Sequence, residues 1–264
     1  MEVNAPVATW VLLRGLTRGA GHWGGFPALL EQRLQARQGG VRLVLLELPG
    51  NGSLYRMPSP THVHEMVDFC RAELRARGIA GPIHLLAMSL GAMVAADWAH
   101  RFAQDLRAVV LINTSLRPFS AFYQRLRPAN YLRLVGLLLA RSPQARESVV
   151  LRLTTRRVAD ESGVIAWWVD LQSRQPVSTL NALRQLLAAM RYVAPRQPIP
   201  VPILILGSRS DGLVNYRCSE QLSRAWQVPL VTHERAGHDL PLDDGPWVAQ
   251  AVCDWLAGEP MPGA

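Results

Sequence analysis

Lysine is absent from this 264-residue chain, and cysteine is scarce. All 28 basic residues are arginines, each a planar fork that can grip a carboxylate or phosphate at two points, so the location of the charge says more than its type. The three cysteines, Cys70, Cys218 and Cys253, are isolated, odd in number and without metal-ligand spacing. That pattern excludes a disulfide framework and a cysteine metal site, and leaves reduced thiols. No apolar run is long enough to span a bilayer. The strand-like run reached by Thr9 follows no basic segment with a long apolar one behind it, so no secretory signal is expected and the expected location is cytoplasmic. There is no internal repeat or low-complexity tract, which excludes a repeat architecture. What remains is a length and a 49% hydrophobic content that suit one large globular core.

Short β-rich runs alternate with longer amphipathic stretches, the pattern of a mostly parallel α/β sheet. Strands are expected near 8–14, 41–48, 82–88, 107–113, 201–207 and 228–233, and their near-continuous Val, Ile and Leu content implies burial on both faces. Helices are expected near 23–38, 62–77, 90–104, 215–226 and 245–257. The alternation breaks once. Residues 117–198 show helical patterns and no clear strand, so the expected organisation is a core in two parts, 1–116 and 199–264, with a helical cap over the carboxyl ends of the strands. Between Arg117 and Arg191, 12 arginines stand against four acids, Glu147, Asp160, Glu161 and Asp170. That excess of +8 equals the net charge of the whole chain.

Residues 83–93, IHLLAMSLGAM, place Ser89 at the end of an apolar run and the start of a helix. This is the outline of a nucleophile elbow, where a sharp strand-to-helix turn strains the serine and brings two backbones together. Only small residues fit two before and two after it. Ala87 and Gly91 meet that demand, although Ala87 departs from the strict G-x-S-x-G form. A serine hydroxyl is a poor nucleophile until a base takes its proton, and the base needs an acid to hold its tautomer. ILILGSRSDGLV puts Asp211 just past one late strand, and VTHERAGHDLP puts His238 just past the next. His233 belongs to the strand end, and Asp239 reads as loop capping. Acyl transfer also needs two donors for an oxyanion: the Leu90 N–H after the serine, and the Leu16 N–H in the loop LLRGLTRGAGHW after the first strand.

Other patterns compete. Gly19, Gly21 and Gly24, with Glu47 ending the next strand, match a dinucleotide fingerprint, but Arg14 to Arg18 separate the first glycine from the strand it should close. His62 and His64 lack a second ligand pair and read as a solvated helix start. Trp167, Trp168 and Leu137 to Leu139 suit either a pocket wall or helix packing. Leu48 to Gly52 reads as a tight turn.

With these residues in place, the chain resembles the α/β-hydrolase superfamily over nearly its whole length. It is most similar to the pimeloyl-acyl-carrier-protein methyl ester esterases of biotin synthesis, through RGLTRGAGHW with Gly15 and Trp23, LELPGNG, the elbow, SDGLV and AGHD. Arg14 replaces a histidine common in relatives, Ala87 replaces glycine, and there is no room before Thr9 for the usual first strand pair. The resemblance implies a carboxylic ester hydrolase with Ser89, Asp211 and His238 as catalytic residues, needing no cofactor or metal. Thioesterase, lactonase and related triad chemistry stay open, as does a catalytically silent ligand-binding homologue. It further implies substrate or docking contacts at Trp23, Arg152, Arg156 and Arg157, with an acidic acyl carrier protein steered to the basic cap. The expected partners are therefore an acyl ester and that carrier; neither nucleic acid nor membrane is expected, and the chain is expected to be a monomer.

Overall fold

The computed structural model describes residues 7–140 and 142–258. Six strands, β1 (Ala8–Leu13), β2 (Val41–Leu46), β3 (Ile83–Met88), β4 (Leu106–Ile112), β5 (Ile203–Ser208) and β6 (Leu230–His233), form one parallel sheet in the order β2-β1-β3-β4-β5-β6. Among the described residues, ten α-helices accompany them: α1 (Phe26–Gln38), α2 (Val63–Ala76), α3 (Leu90–Arg101), α4 (Phe122–Arg125), α5 (Tyr131–Leu139), α6 (Pro143–Thr154), α7 (Glu161–Arg174), α8 (Thr179–Arg191), α9 (Arg217–Trp226) and α10 (Leu240–Ala257).

The apolar runs of the strands serve both faces because successive side chains point in opposite directions. Val11 and Leu13 join the core under α2, α3 and α9, while Trp10 and Leu12 join the core under α1 and α10. The same alternation holds for Leu85 and Ala87 against Leu86 and Met88, and for Ile203 and Ile205 against Leu204 and Leu206. Cys70, Cys218 and Cys253 are all buried. Burial pushes the thiol of Cys70 up to about 12 and that of Cys218 up to about 11, so both stay protonated at neutral pH.

The expected strands fall within two residues of those observed. α10 begins five residues earlier than its sequence pattern suggests. A first turn forms at Leu240–Asp243, the chain kinks at Asp244 (φ −155°), and the helix resumes with Pro246 near its restart. The Gly245-Pro246 pair therefore marks a kink inside the element, and its missing N–H costs little at a restart. Among the described residues, 117–198 hold α4 to α8 and the segments that connect them, and a bridge joins Arg117 to Val193. Arg141 lies outside the described residues.

The chain runs from β1 outward to β2 and then back across to β3, so the winding reverses between β1 and β3. In open parallel sheets the crevice outside the carboxyl ends of the strands at that reversal is where ligands bind. β1 ends there at Leu13 and β3 at Met88, one residue before Ser89.

Candidate active site

Ser89 turns the chain from β3 into α3 with φ 54° and ψ −118°. A positive φ on a residue with a Cβ is strained by about 1–3 kcal/mol and persists only where the surroundings enforce it. The enforcement is visible. A Cβ on Gly91 would lie 2.5 Å from the Arg14 carbonyl oxygen and 2.7 Å from that of Leu13, so α3 starts in direct backbone contact with the end of β1. A Cβ on Gly15 would lie 3.0 Å from the Ser89 Cβ. Ala87 is fully buried, and the Ser89 N–H is held by the Ile112 carbonyl at 3.0 Å. The Ser89 hydroxyl makes no hydrogen bond among the described residues and lines a cavity.

Asp211 and His238 come from the loops after β5 and β6. His238 Nδ1 lies 2.7 Å from Asp211 Oδ2, and both side chains are buried. Asp211 Oδ1 accepts the N–H groups of Leu213 (2.7 Å) and Val214 (3.0 Å), which fixes the carboxylate. Burial pushes the His238 imidazole down, but the charge of Asp211 and its hydrogen bond, with Asp239 adding, outweigh this and hold its pKa above the ordinary 6.5. The loop carrying His238 is held by a residue the sequence marked only as a strand end. Asn113, at φ 43°, donates from Nδ2 to the carbonyls of His238 (2.9 Å) and Gly237 (3.2 Å) and accepts the Ser208 N–H at 2.9 Å. Thr114, next in the chain, donates to the Ser89 carbonyl at 3.1 Å. The ends of β3, β4 and β5 are thereby tied to the histidine loop. Asparagine tolerates the left-handed region, the one signal in the sequence that could have singled it out.

The loop after β1 passes over Ser89. Neither the Leu16 nor the Leu90 N–H donates to another group among the described residues, whereas the next amide, Thr17, donates to Gln185 Oε1 at 2.8 Å. Arg14 bears directly on this loop. Its guanidinium is 3% exposed and forms a two-point ion pair with Asp239, at 3.1 Å and 2.5 Å, while lying 4.7 Å from the centre of the Trp23 ring. Asp239 makes no side-chain cap bond to α10, so the capping role expected of it is wrong. A buried cation cannot stand alone, and Asp239 is its partner.

Above Ser89 lies a cavity of about 500 Å³, floored by Leu16, Ser89 and Leu90 and walled by Leu134, Leu137, Val150, Leu183 and Leu186 of α5, α6 and α8. Its walls are mainly aliphatic. A flexible hydrocarbon chain is the group such a surface suits.

A family model described as the alpha/beta hydrolase family matches residues 10–251. The chain belongs to the alpha/beta hydrolase family. Among solved structures, this hydrolase-family chain is similar to a bacterial membrane phospholipase A described as a virulence factor (20% identity, TM-score 0.78, covering 96% of this chain and 79% of that one). It is also similar to a putative lipase from Acinetobacter baumannii AYE (20%, 0.76, 96% and 85%) and to the enol-lactonase of Burkholderia xenovorans LB400 (18%, 0.76, 97% and 94%). At these identities the likeness is one of fold. No curated protein matches the chain in sequence.

Within this alpha/beta hydrolase fold, the other expected contacts fall in different places. Trp23 is 4% exposed, stacked on Phe26 in the core beyond Arg14, and does not line the cavity. Arg152 is exposed on α6. Arg156 and Arg157, also exposed, are anchored by their backbone: Asp243 accepts the Arg156 N–H at 2.9 Å, the Arg157 N–H at 3.1 Å and the Gly237 N–H at 2.5 Å. The Arg157 side chain pairs with Asp244 at 2.8 Å. These two residues join the cap to the histidine loop through an aspartate that the sequence pattern hid in a predicted loop. Trp168 is buried with Arg18 over its ring, and Arg18 pairs with Glu147 at 2.7 Å, so Trp168 packs the cap rather than lining the cavity, whereas Leu137 lines it. Glu47 accepts the Ala20 and Ser53 N–H groups, so its oxygens organise two loops, as befits no nucleotide site. His62 stands at the N-cap position of α2 without a side-chain cap bond, and no metal-type cluster occurs among the described residues.

Proposed function

We propose that this chain is a serine hydrolase of carboxylic esters with apolar acyl chains. The observation that carries the reading is the buried Asp211–His238 pair behind a strained serine that faces an aliphatic cavity between two unengaged amides. Ser89 Oγ attacks the ester carbonyl while His238 Nε2 takes the hydroxyl proton. Asp211 holds the imidazole tautomer and offsets the imidazolium charge, and the Leu16 and Leu90 N–H groups donate hydrogen bonds to the negatively charged carbonyl oxygen. The C–O bond then breaks, the alcohol leaves with the proton from His238, and an acyl-enzyme remains. Water attacks it by the same route in reverse, His238 taking its proton and returning it to Ser89. An oxyanion donor of this kind is worth about 10²–10³ in rate. Thioesters and lactones react by the same steps. A pimeloyl methyl ester on a carrier protein is the narrower substrate we put forward from the motif resemblance, and the aliphatic cavity would accept such a chain.

The test is covalent. A fluorophosphonate should lose fluoride and add its phosphonyl group to the wild type and leave Ser89→Ala unmodified, and wild type alone should hydrolyse nitrophenyl esters, with rates rising from acetate to octanoate. Equal labelling of both proteins would remove the reading. Labelling without turnover on any ester would favour the silent ligand-binding homologue.

A further inference from the structure

Large apolar side chains exposed to solvent are distributed unevenly in this molecule. Of the 12 among the described residues, ten lie between Phe122 and Val193, and only Val7 and Met57 lie elsewhere. Two rows stand out. On α5, Leu132 (86% exposed) and Val135 are three apart and share a helix face. On α8, Leu180 (66% exposed), Leu183, Leu186 and Met190 follow at spacings of three and four. Val135, Leu183 and Leu186 also line the cavity above Ser89, so the two rows flank its mouth and run continuously into it. Single exposed apolar residues need no explanation, but a contiguous set around a cavity mouth marks a contact surface.

The charge around this mouth selects the partner. Arg133 lies on α5, Arg184 and Arg191 on α8, Arg146 on α6 lines the cavity, and Arg117 meets the Met190 carbonyl at the end of α8; none has a carboxylate partner among the described residues. Arg133 lies between Leu132 and Val135 on α5, exposed and with no hydrogen bond among the described residues. A helical surface with leucines on one flank and arginines on the other is what beds into the headgroup boundary of an anionic bilayer, the leucines entering the acyl region and the arginines meeting phosphates. No helix among the described residues is long and apolar enough to cross a membrane.

We propose that the α5–α8 face docks on the surface of an anionic phospholipid bilayer and holds the cavity mouth against it. An apolar ester would then pass from the lipid phase into the cavity without crossing water. This departs from the sequence expectation that no membrane is involved, and it puts the exposed leucines, which a purely electrostatic carrier-protein dock leaves unused, to work. It extends the proposed ester hydrolysis, but its test needs no turnover.

The full chain is mixed with vesicles of ether-linked lipids, which no esterase cleaves, made of phosphatidylcholine alone or with phosphatidylglycerol, and sedimented. Binding is expected to the phosphatidylglycerol vesicles, to weaken with added salt, and to fall about tenfold or more in Leu132→Glu/Leu180→Glu. Neither residue lines the cavity, so that variant should keep its thermal melt and its hydrolysis of short soluble esters. Absence of binding to the anionic vesicles, or equal binding by the variant, overturns the proposal. So does a wild-type dimer in light scattering that the variant dissolves, with no vesicle binding, which would make the face a contact between two copies. Capture of acyl carrier protein without vesicle binding overturns it as well.

Discussion

Asp239→Asn tests how the buried Arg14–Asp239 pair bears on both stability and the titration of His238. The two side chains are 3% and 4% exposed, and two unit charges about 4 Å apart attract by about 4 kcal/mol at an effective dielectric near 20. Removing one partner leaves the other buried and uncompensated, which costs about 3–5 kcal/mol. At roughly 2–4 °C per kcal/mol for a chain of this size, the melting temperature should fall by about 10 °C. Arg14→Met/Asp239→Leu, which removes both charges, should recover most of that loss. The catalytic consequence has a sign of its own. In the proposed mechanism His238 must be neutral to act as a base, so activity should fall as pH drops through its folded pKa, which burial lowers but Asp211 and then Asp239 raise above 6.5 against the smaller opposition of Arg14. Asp239→Asn removes a raising charge and leaves Arg14 unopposed, so the acid limb of kcat/KM for a nitrophenyl ester should move to lower pH. Arg14→Met removes a lowering charge and should move it to higher pH. The same raised pKa means that protonated His238 stabilises the fold fully below about pH 6.5, a contribution lost as pH rises through the folded value. Asp239→Asn should shrink it. A melt within about 1 °C of wild type, or limbs that move the same way in the two single variants, would refute the reasoning.

Two further substitutions probe the frame of the site. Gly91→Ala would put a methyl group 2.5 Å from the Arg14 carbonyl oxygen, a clash with backbone that cannot rotate away, so a loss of at least about 1–3 kcal/mol and of fluorophosphonate labelling is expected; an unchanged melt and labelling rate would contradict the close-contact account. Asn113→Ala frees the carbonyls of Gly237 and His238, and kcat should drop about tenfold or more with little change in KM, because the residue positions His238 without touching substrate; a matching change in KM alone would count against that role.

The strands were legible because burial on both faces demands runs of Val, Ile and Leu, and a run of that kind leaves few alternatives. The placement of Ser89, Asp211 and His238 at strand ends was legible for a related reason: each follows such a run, and Gly91 is demanded by backbone contact. What the sequence concealed depends on long-range pairing. Arg14 and Asp239 are 225 positions apart, and nothing local to Asp239 distinguishes a partner for a buried arginine from a cap at the start of α10. Asp243 and Asn113 were hidden in the same way, since their work is done on backbone groups of other loops. The charge excess of the cap was visible, but not that Arg156 and Arg157 are anchored at the junction, nor that leucines share the outer face with the remaining arginines.

The Asp243 clasp separates two kinds of change this protein can undergo. It couples the far end of α6 to the turn bearing His238, so in the proposed mechanism alterations there should disturb base alignment and substrate access together. α5, by contrast, meets the rest of the molecule mainly through its own neighbours α6 and the turn before it. Substitutions along α5 can reshape what enters the cavity while the proton-transfer geometry stays put, so the breadth of compounds accepted can drift over generations independently of the rate at which any one of them is turned over.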